Sequence, residues 1–498
     1  MKTHAFFTKI LYIISALTVG LIFILNFVFN STVSYDTSET VAIQTHLTKS
    51  ILFALLIALL FFAVSFLKPY LEKVKELYLF IAFSVLYLAM GIYLVFNVDD
   101  PMRADPLFVS QAAKDLLAGV TISFEKGGYM YQYPHQIGLM LYDALLYLFY
   151  PHTIINYFAN LGLVIGSNYI IYKISNLLFG SRLVNNLSII LSFLFLPQFF
   201  FILFAYGNIP GLFLMLFAFY HTLRFCKYHN TLNLVFTVIG ACLAVALRKN
   251  FIIGAIAIII YLCLNLLKQF SIKQLVAILC VVVSLIVPLK VLPLAFGVDK
   301  TGAPSVLWMA MGTDIDNNVR GAGWYDDSNN QIYSGTGYNA EAAQEIGTQK
   351  LKQNLYKMAE RPIDTGKFFL KKTVSQWCNP LYQSLWIGPL ENLNHHAHTP
   401  LLKSLYTGGT AEDILSNVLK IYVLALFGLS TLFIIKYHKS FNGWELFFLL
   451  LIGGFLFHTI WEGKSQYVYS YFFGLIPFAA FSASKIIEKL NLTTKKTE

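Results

Sequence analysis

Long apolar stretches separated by short polar loops make up most of this chain. A membrane-spanning helix requires about 20 mostly apolar residues. About twelve stretches meet this requirement, at 6–30, 51–67, 77–96, 154–178, 183–206, 209–228, 234–250, 251–267, 275–296, 413–435, 444–463 and 467–487. A thirteenth, 136–150, is shorter. The pattern predicts an all-α polytopic membrane protein with about twelve spanning helices and one half-buried segment at 136–150.

The composition agrees with a membrane protein. Hydrophobic residues make up 57% of the 498 positions and charged residues only 12%, whereas soluble domains carry about 25% charged residues. The first apolar stretch is too long for the core of a signal peptide, so we interpret it as the first span. Four of the five cysteines lie in apolar stretches, which indicates neither a disulfide framework nor a metal pattern.

The net charge of +10 arises from Lys and Arg in short loops beside the apolar stretches. Such residues favour the cytoplasmic side of a membrane, so Lys68, Lys73 and Lys75 predict a cytoplasmic N-terminus. The later basic loops and the C-terminal "KKTE" agree with this orientation if 136–150 does not cross the membrane. The polar regions 97–135 and 297–412 then share the outer face. A nucleic-acid partner is not indicated.

These boundaries divide the chain into five parts. They are N-terminal spans at 1–96, a first outer loop with a juxtamembrane segment at 97–153, central helices at 154–296, an extracytoplasmic unit at 297–412, and C-terminal spans with a cytoplasmic tail at 413–498. The unit at 297–412 is expected to consist of short helices and turns, with Gly, Asn and Asp clustered at 312–338.

The first outer loop, "NVDDPMRADPLFVSQAAKDLLAG", carries acidic residues directly after a span. Asp105 and Pro106 precede a helical apolar pattern that ends at Gly119, so Asp105 is interpreted as an N-cap residue. A capping carboxylate can leave one oxygen free. At a membrane surface that oxygen could act as general base on an acceptor hydroxyl.

The stretch "EKGGYMYQYPHQIG" leads into the half-buried segment. Its tyrosines fit an interfacial aromatic belt. Tyr133, His135 and Gln136 are alternatively the rim of a cleft that binds a sugar or a lipid phosphate, with His135 donating to the phosphate. This second interpretation predicts that His135 faces the same cavity as Asp105 and Arg248.

Arg248 lies in "ALRKNFIIG", between two apolar stretches. Charges at membrane depth are costly and usually functional. A guanidinium there would suit a lipid-linked phosphate, which it can bind with two parallel hydrogen bonds. The alternative is a snorkelling pair of Arg248 and Lys249.

Three further motifs carry candidate substrate-binding residues. They are "WMAMGTDIDNNVRGAGWYDD" with Trp324 and Tyr325, "AYGNIPG" with Tyr206, and "HTIWEGKSQYVYSY" with Glu462 and Lys464. Aromatic and planar polar side chains are typical of sugar sites. Each motif also fits an ordinary surface turn.

Taken in order, these motifs resemble the GT-C superfamily of integral-membrane glycosyltransferases. The similarity covers nearly the whole chain and is greatest to the bacterial branch near protein O-mannosyltransferases and the mannosyltransferases of glycolipid anchors. The subfamily resembles cell-envelope enzymes of Gram-positive bacteria. The resemblance implies a GT-C-like bundle with two extracytoplasmic loops that cap the active site. It also implies transfer of a sugar from a polyprenyl-phosphate donor, with inversion at the anomeric carbon.

The resemblance also implies roles for individual residues. Asp105 matches the acidic base of the first outer loop, with Asp100 as the second candidate, and some members use a divalent metal (Mg²⁺ or Mn²⁺) that Asp105 would bind. Arg248 and Asn250 match an "R-x-N" turn near the donor phosphate. The late motif usually has an arginine where this chain has Gln466, so either Lys464 supplies that charge or phosphate binding differs.

Two other function classes fit the composition. A polysaccharide polymerase or ligase would also use polyprenyl-linked substrates, but it generally lacks the acidic first-loop motif. A transporter of lipid-linked sugars should contain internal repeats and ionisable residues in mid-span, and neither is evident here. The expected partners are therefore a polyprenyl-phosphate sugar, an envelope glycopolymer, glycolipid or protein acceptor, and the bilayer.

Overall fold

The structure, a computed structural model, describes the backbone of residues 2–497 and the side chains of residues 3–491. The side chains of the "KKTE" tail, predicted to be cytoplasmic, lie outside the described residues.

Apolar helices form most of the described chain, which confirms a multi-pass helical membrane protein. Within residues 2–497, nine helices are long and apolar enough to span a membrane, at Thr3–Val28, Leu47–Lys73, Glu76–Phe96, Ile154–Phe179, Asn208–Tyr228, Lys249–Lys268, Ile272–Ala295, Thr410–Lys436 and Ser465–Asn491. Three further predicted spans correspond to the apolar helices Thr231–Leu247 and Trp444–Ile460 and to the pair Arg182–Leu194 and Leu196–Leu203, which is bent by 50°. Pro197 lies at that bend and explains it, because proline breaks the backbone hydrogen-bond ladder.

The Leu47–Lys73 helix shows why the surroundings of this bundle are lipid. Its buried residues are Ser50 and Ser65, whereas Leu55 and Leu59 are more than half exposed. In water this arrangement would leave a large apolar surface uncovered. In a bilayer the exposed leucines contact acyl chains while the serines find partners inside the protein.

The predicted half-buried segment forms the helix Ile137–Tyr147 of 11 residues. At about 1.5 Å per residue it covers only about half of the roughly 30 Å hydrocarbon core. The helix packs against Ala104–Leu117 and Thr231–Leu247.

The loop after the first span contains a β-hairpin, which the sequence pattern did not predict. Strand β1, Phe29–Val33, pairs antiparallel with β2, Val41–Thr45, with Thr32 opposite Ala42. The hairpin is tied to distant parts of the chain, since the Ser31 amide donates to the carbonyl of Cys378 and the Val41 amide to that of Arg320.

The polar unit at 297–412 is more helical than predicted. Its helices are Val306–Thr313, Ser328–Gly335, Ala340–Glu360, Pro362–Trp377 and Pro400–Tyr406. It lies beside the first polar loop, because Val98 bridges to Ala397 and the Ala303 amide donates to the carbonyl of Gln132 at 3.0 Å. The two polar regions therefore meet at one end of the bundle.

Close helix packing fixes the short helix beneath this polar end. A Cβ added at Gly138 would lie 2.2 Å from the backbone oxygen of Ala246, two residues before Arg248. This contact holds the Pro134–Gln136 turn and the Arg248 turn next to each other.

We expect Gly138→Ala to lower the free energy of unfolding by about 1–3 kcal/mol, because backbone must move to admit the methyl group. Thermal unfolding of the purified protein in detergent measures this. The matched control is Gly162→Ala, which would meet no atom within 4 Å and should not destabilise the protein, since alanine favours helix over glycine. Equal effects of the two substitutions would contradict the packing argument.

Candidate functional site

A cavity of about 500 Å³ lies at the polar end of the bundle. We call it the central cavity. Segments far apart in sequence contribute to it, and its lining side chains are those of Thr37, Glu39, Arg103, Ala104, Asp105, Tyr129, Tyr133, His135, Gln136, Tyr206, Arg248, Lys249, Asn250, Ala303, Ser305, Trp308, Arg320, Tyr325, Asn329, Asn330, Trp386, Leu393, Trp461, Glu462, Lys464 and Tyr467.

Ten of the twelve candidate residues from the sequence line this cavity: Asp105, Tyr133, His135, Gln136, Tyr206, Arg248, Asn250, Tyr325, Glu462 and Lys464. Asp105, His135 and Arg248 thus share one cavity, as the sequence predicted. The other two candidates lie elsewhere.

Asp100 and Trp324 are outside the lining for clear structural reasons. The Asp100 carboxylate accepts hydrogen bonds from the hydroxyls of Thr153 and Tyr157 and thereby ties the loop to the Ile154–Phe179 helix. Trp324 is 1% exposed, and its indole Nε1 donates to Ser375 at 2.8 Å. It supports the cavity wall from behind.

Asp105 projects from the first turn of the Ala104–Leu117 helix, and the N-cap position belongs to Arg103. The predicted capping role of Asp105 is therefore wrong. The reason is Ala104, the first residue of the helix, whose φ of +50° places it in the left-handed region. The carboxylate is exposed to the cavity, and its Oδ2 accepts a hydrogen bond from the Tyr206 hydroxyl at 3.1 Å.

Tyr206 connects this carboxylate to a cation. Its hydroxyl also accepts from Gln136 Nε2 at 2.7 Å, and the Arg248 guanidinium lies 4.4 Å from its ring centroid. Burial and the nearby Asp105 raise the pKa of Tyr206 well above its usual value. The phenol therefore stays protonated and can donate to Asp105.

Arg248 and Lys249 give one side of the cavity a positive charge without a counter-ion. Arg248 donates to the carbonyl of Tyr206 at 2.9 Å and contacts aromatic rings. Within the described residues, neither side chain forms an ion pair with a carboxylate. Charged groups at a partly buried site attract an opposite charge strongly, since water screens them little.

His135 lies beside these cations, half-buried. Burial, with smaller contributions from Lys249 and Arg248, lowers its pKa to about 3. The imidazole is therefore neutral at physiological pH and can donate or accept a hydrogen bond without adding charge.

Glu39 organises the opposite side of the cavity. Its carboxylate, 0% exposed, binds Lys464 Nζ at 2.9 Å and contacts Arg320, and Gln383 Nε2 donates to it at 2.8 Å. Burial favours the neutral acid, but Lys464, Arg320 and Gln383 together outweigh burial and hold the pKa of Glu39 below its usual range. Lys464 and Arg320 are thus already neutralised, unlike Arg248.

Aromatic side chains form much of the remaining wall. The rings of Trp308 and Trp461 stack 5.9 Å apart and nearly parallel, at 3°. Tyr133 donates to the side-chain carbonyl of Asn330, and Tyr325 lines the same wall. Flat apolar faces next to amide groups suit a sugar ring, which has both C–H faces and hydroxyls.

Glu462 adds a second carboxyl group to the cavity. It is 4% exposed and accepts from the Tyr467 hydroxyl at 2.8 Å. Burial raises its pKa, since Lys464 and Tyr467 offset that effect only in part.

Sequence reasoning missed Glu39, Arg320, Trp386 and Trp461. Glu39 lies in a short polar loop without periodicity, and its partners Gln383 and Lys464 are hundreds of residues away. Trp461 is next to the selected Glu462, so the available signal was its proximity to that motif.

A divalent cation would have one evident protein ligand here, Asp105. No group of three or more His, Cys, Asp or Glu side chains able to hold a metal occurs in the part of the chain that the structure describes. Mg²⁺ commonly binds through one or two carboxylates together with water and substrate phosphates, and the exposed Asp105 carboxylate fits that mode.

We expect Glu39→Gln to destabilise the protein by about 3–5 kcal/mol at neutral pH, because two partly buried cations lose their carboxylate. The pKa of Glu39 is lower in the folded state than its ordinary 4.5. Its contribution is therefore present above about pH 4.5 and is lost as the pH falls through the folded-state pKa.

Thermal unfolding measured between about pH 3 and pH 7, where carboxyl groups titrate, tests both effects. The variant should be less stable at neutral pH and should lose less stability in acid than the unmodified protein. Glu125→Gln, at an exposed glutamate, is the control and should change neither. An unchanged acid profile in Glu39→Gln would contradict this account.

Comparisons with known proteins identify no relative from which the role of this site could be inferred. No protein-family model matches the chain, and no curated protein or solved structure is significantly similar to it.

Proposed function

We propose that this protein is a glycosyltransferase that moves a sugar from a polyprenyl-phosphate donor to a hydroxyl of a cell-envelope acceptor. One observation carries the proposal. A single cavity at the polar end of a membrane bundle contains an open carboxylate, Asp105, linked through Tyr206 to Arg248, which forms no ion pair in the described part of the chain. A transfer from a lipid phosphate requires these two groups, a base and an anion-binding group.

The donor phosphate is assigned to the side of the cavity that carries Arg248, Lys249 and Asn250. An Arg guanidinium can bind two phosphate oxygens with parallel charge-assisted hydrogen bonds. Lys249 adds a second charge, and the neutral His135 imidazole can donate one more hydrogen bond. These groups also stabilise the negative charge that develops on the leaving phosphate.

Asp105 is assigned as general base. The acceptor hydroxyl attacks the anomeric carbon of the donor sugar and loses its proton to the carboxylate. The bond between that carbon and the phosphate oxygen breaks, and the lipid phosphate leaves with the electron pair. Attack opposite to the leaving group inverts the anomeric centre, and it requires the sugar to lie between the base and the phosphate site.

The aromatic wall is assigned to the transferred sugar. Trp308 and Trp461 offer apolar faces, while Tyr325, Asn330 and Glu462 offer hydrogen-bonding groups. A divalent cation bound at Asp105 would neutralise phosphate charge. Lys464 lines the cavity but is held by Glu39, so its role here is to shape the site beside the sugar.

The proposed location follows from the charge distribution. Basic residues lie at the ends of spans away from the cavity, such as Lys68 and Lys73 at the end of the Leu47–Lys73 helix. With those loops in the cytoplasm, the termini are cytoplasmic and the cavity opens on the outer face. The resemblance to the GT-C superfamily implies the same orientation. The proposed setting is the envelope of a Gram-positive bacterium.

We expect Asp105→Asn to lower the rate of sugar transfer about 100- to 10,000-fold, the usual contribution of a general base. Transfer of labelled sugar from a polyprenyl-phosphate donor in membranes measures it. Asp115→Asn is the matched control, because Asp115 lies on the same helix and bonds Gln111 outside the cavity. Unchanged transfer in Asp105→Asn would remove Asp105 as the base.

Arg248→Ala should raise the KM for the donor about 10- to 100-fold, since a hydrogen bond to a charged group contributes about 1.5–3 kcal/mol. Arg248→Lys should recover part of the loss, because the charge is kept and the two-point geometry is not. Arg224→Ala, at a cation that contacts Tyr220 and Tyr228, is the control. An unaltered donor KM would place the phosphate elsewhere.

A further inference from the structure

A second cavity, of about 360 Å³, lies beside the central one. We call it the hairpin cavity. The β-hairpin forms one wall, the segment 379–386 a second, and the first turns of the Thr410–Lys436 helix a third. Its volume falls in the range of roughly 300–1,000 Å³ typical of small-molecule sites. The proposed reaction assigns no role to any residue that lines it.

The lining of the hairpin cavity mixes hydroxyl and amide groups with apolar surface. Hydroxyls come from strand β1, from the turn of the hairpin and from the helix, and an amide comes from the facing segment; examples are Thr32, Thr40, Ser416 and Asn379. An acyl chain would cover these polar groups and offer them no hydrogen bonds. A sugar offers hydroxyls to them and C–H faces to the apolar residues.

The charge of this cavity differs from that of the central one. The side chain of Glu412 lines it and is hydrogen-bonded to Tyr35. No Lys or Arg is among its described lining residues. A cavity lined by a carboxyl group and by no cation gives phosphate no counter-charge, and the carboxyl oxygens can accept hydrogen bonds from hydroxyls. An uncharged polyol therefore fits better than an anionic ligand.

Trp386 separates the two cavities and lines both. Its indole Nε1 donates to the carbonyl of Asp36 in the hairpin at 2.8 Å. Arg103 lies 4.9 Å and Lys464 5.6 Å from the ring. One aromatic side chain thus connects the central cavity with the hairpin cavity.

The backbone around this partition is held in an unusual conformation. Glu39, Tyr382 and Gln383 all have positive φ, at 53°, 49° and 58°. Gln383 lines the hairpin cavity and donates to Glu39, which lines the central one. Non-glycine residues in this region cost of order 1–3 kcal/mol each and cluster at ligand sites.

We propose that the hairpin cavity binds an uncharged sugar residue of an acceptor glycan whose reacting end lies in the central cavity, past Trp386. This rests on the proposed function and specifies its acceptor, a neutral oligosaccharide chain of more than one residue. The hairpin cavity is the subsite that binds the sugar unit next to the one that reacts.

The test uses the purified full-length chain and two exposed residues of β2. Ala42 lines the hairpin cavity, so Ala42→Trp should fill it. Gln44, two positions along the same strand face, lies outside the lining, so Gln44→Trp is the matched control. α-Mannotriose and maltotriose are the probes, with the corresponding methyl monosaccharides for comparison.

Binding of the probes is measured by ligand-observed NMR, which needs no donor. The trisaccharides should bind about tenfold more tightly than the monosaccharides. Ala42→Trp should abolish that difference and Gln44→Trp should keep it. Trisaccharides that bind no better than monosaccharides, or that bind equally to both variants, would overturn the proposal.

Donor turnover separates this proposal from the proposed function. With a labelled polyprenyl-phosphate sugar, Ala42→Trp should release sugar to water at the normal rate while transfer to the trisaccharide falls. Trisaccharide binding that Ala42→Trp abolishes, without any donor turnover, would support the hairpin cavity as a sugar subsite and contradict glycosyl transfer. Donor turnover that does not depend on acceptor length would support glycosyl transfer and contradict the hairpin cavity as a subsite.

Discussion

The ion pair between Glu39 and Lys464 holds the polar end of this protein together. Glu39 belongs to the loop after the first span and Lys464 to the turn before the last, and Arg320 and Gln383 join the same carboxylate. A buried carboxylate is costly unless cations and hydrogen bonds surround it. Four distant segments are therefore fixed to one point, and the aromatic wall beside that point is fixed with them.

The contrast between this cluster and Arg248 gives the cavity its polarity. Lys464 and Arg320 have a counter-ion inside the protein, whereas the partners of the Arg248 side chain among residues 3–491 are ring faces and a carbonyl. Contact with Tyr206 contributes about 0.5–2 kcal/mol, less than an anion would. This side of the cavity therefore carries a positive charge, and in the proposed reaction the donor phosphate neutralises it.

Much of this arrangement could be predicted from sequence because charged and aromatic residues at the ends of apolar stretches must lie at a membrane surface. That reasoning brought Arg248, Tyr206 and Glu462 to one end of the bundle. It failed for Glu39 and Trp386, whose loops have no periodicity. Their partners are long-range, and single-sequence patterns carry no information on which loop meets which. It also failed for the orientation of Asp105, because a left-handed residue at the first position of a helix cannot be recognised from the hydropathy pattern.

The left-handed conformation of Ala104 limits which residues natural variants can carry at this position. A β-carbon in the left-handed region costs about 1–2 kcal/mol, and a branched side chain costs more. Ala104 aims the Asp105 carboxylate into the cavity through its φ of +50°. Natural variants should therefore carry only small or turn-forming residues such as Gly, Ala, Asn or Asp at position 104, even though its side chain contacts no substrate in the proposed reaction.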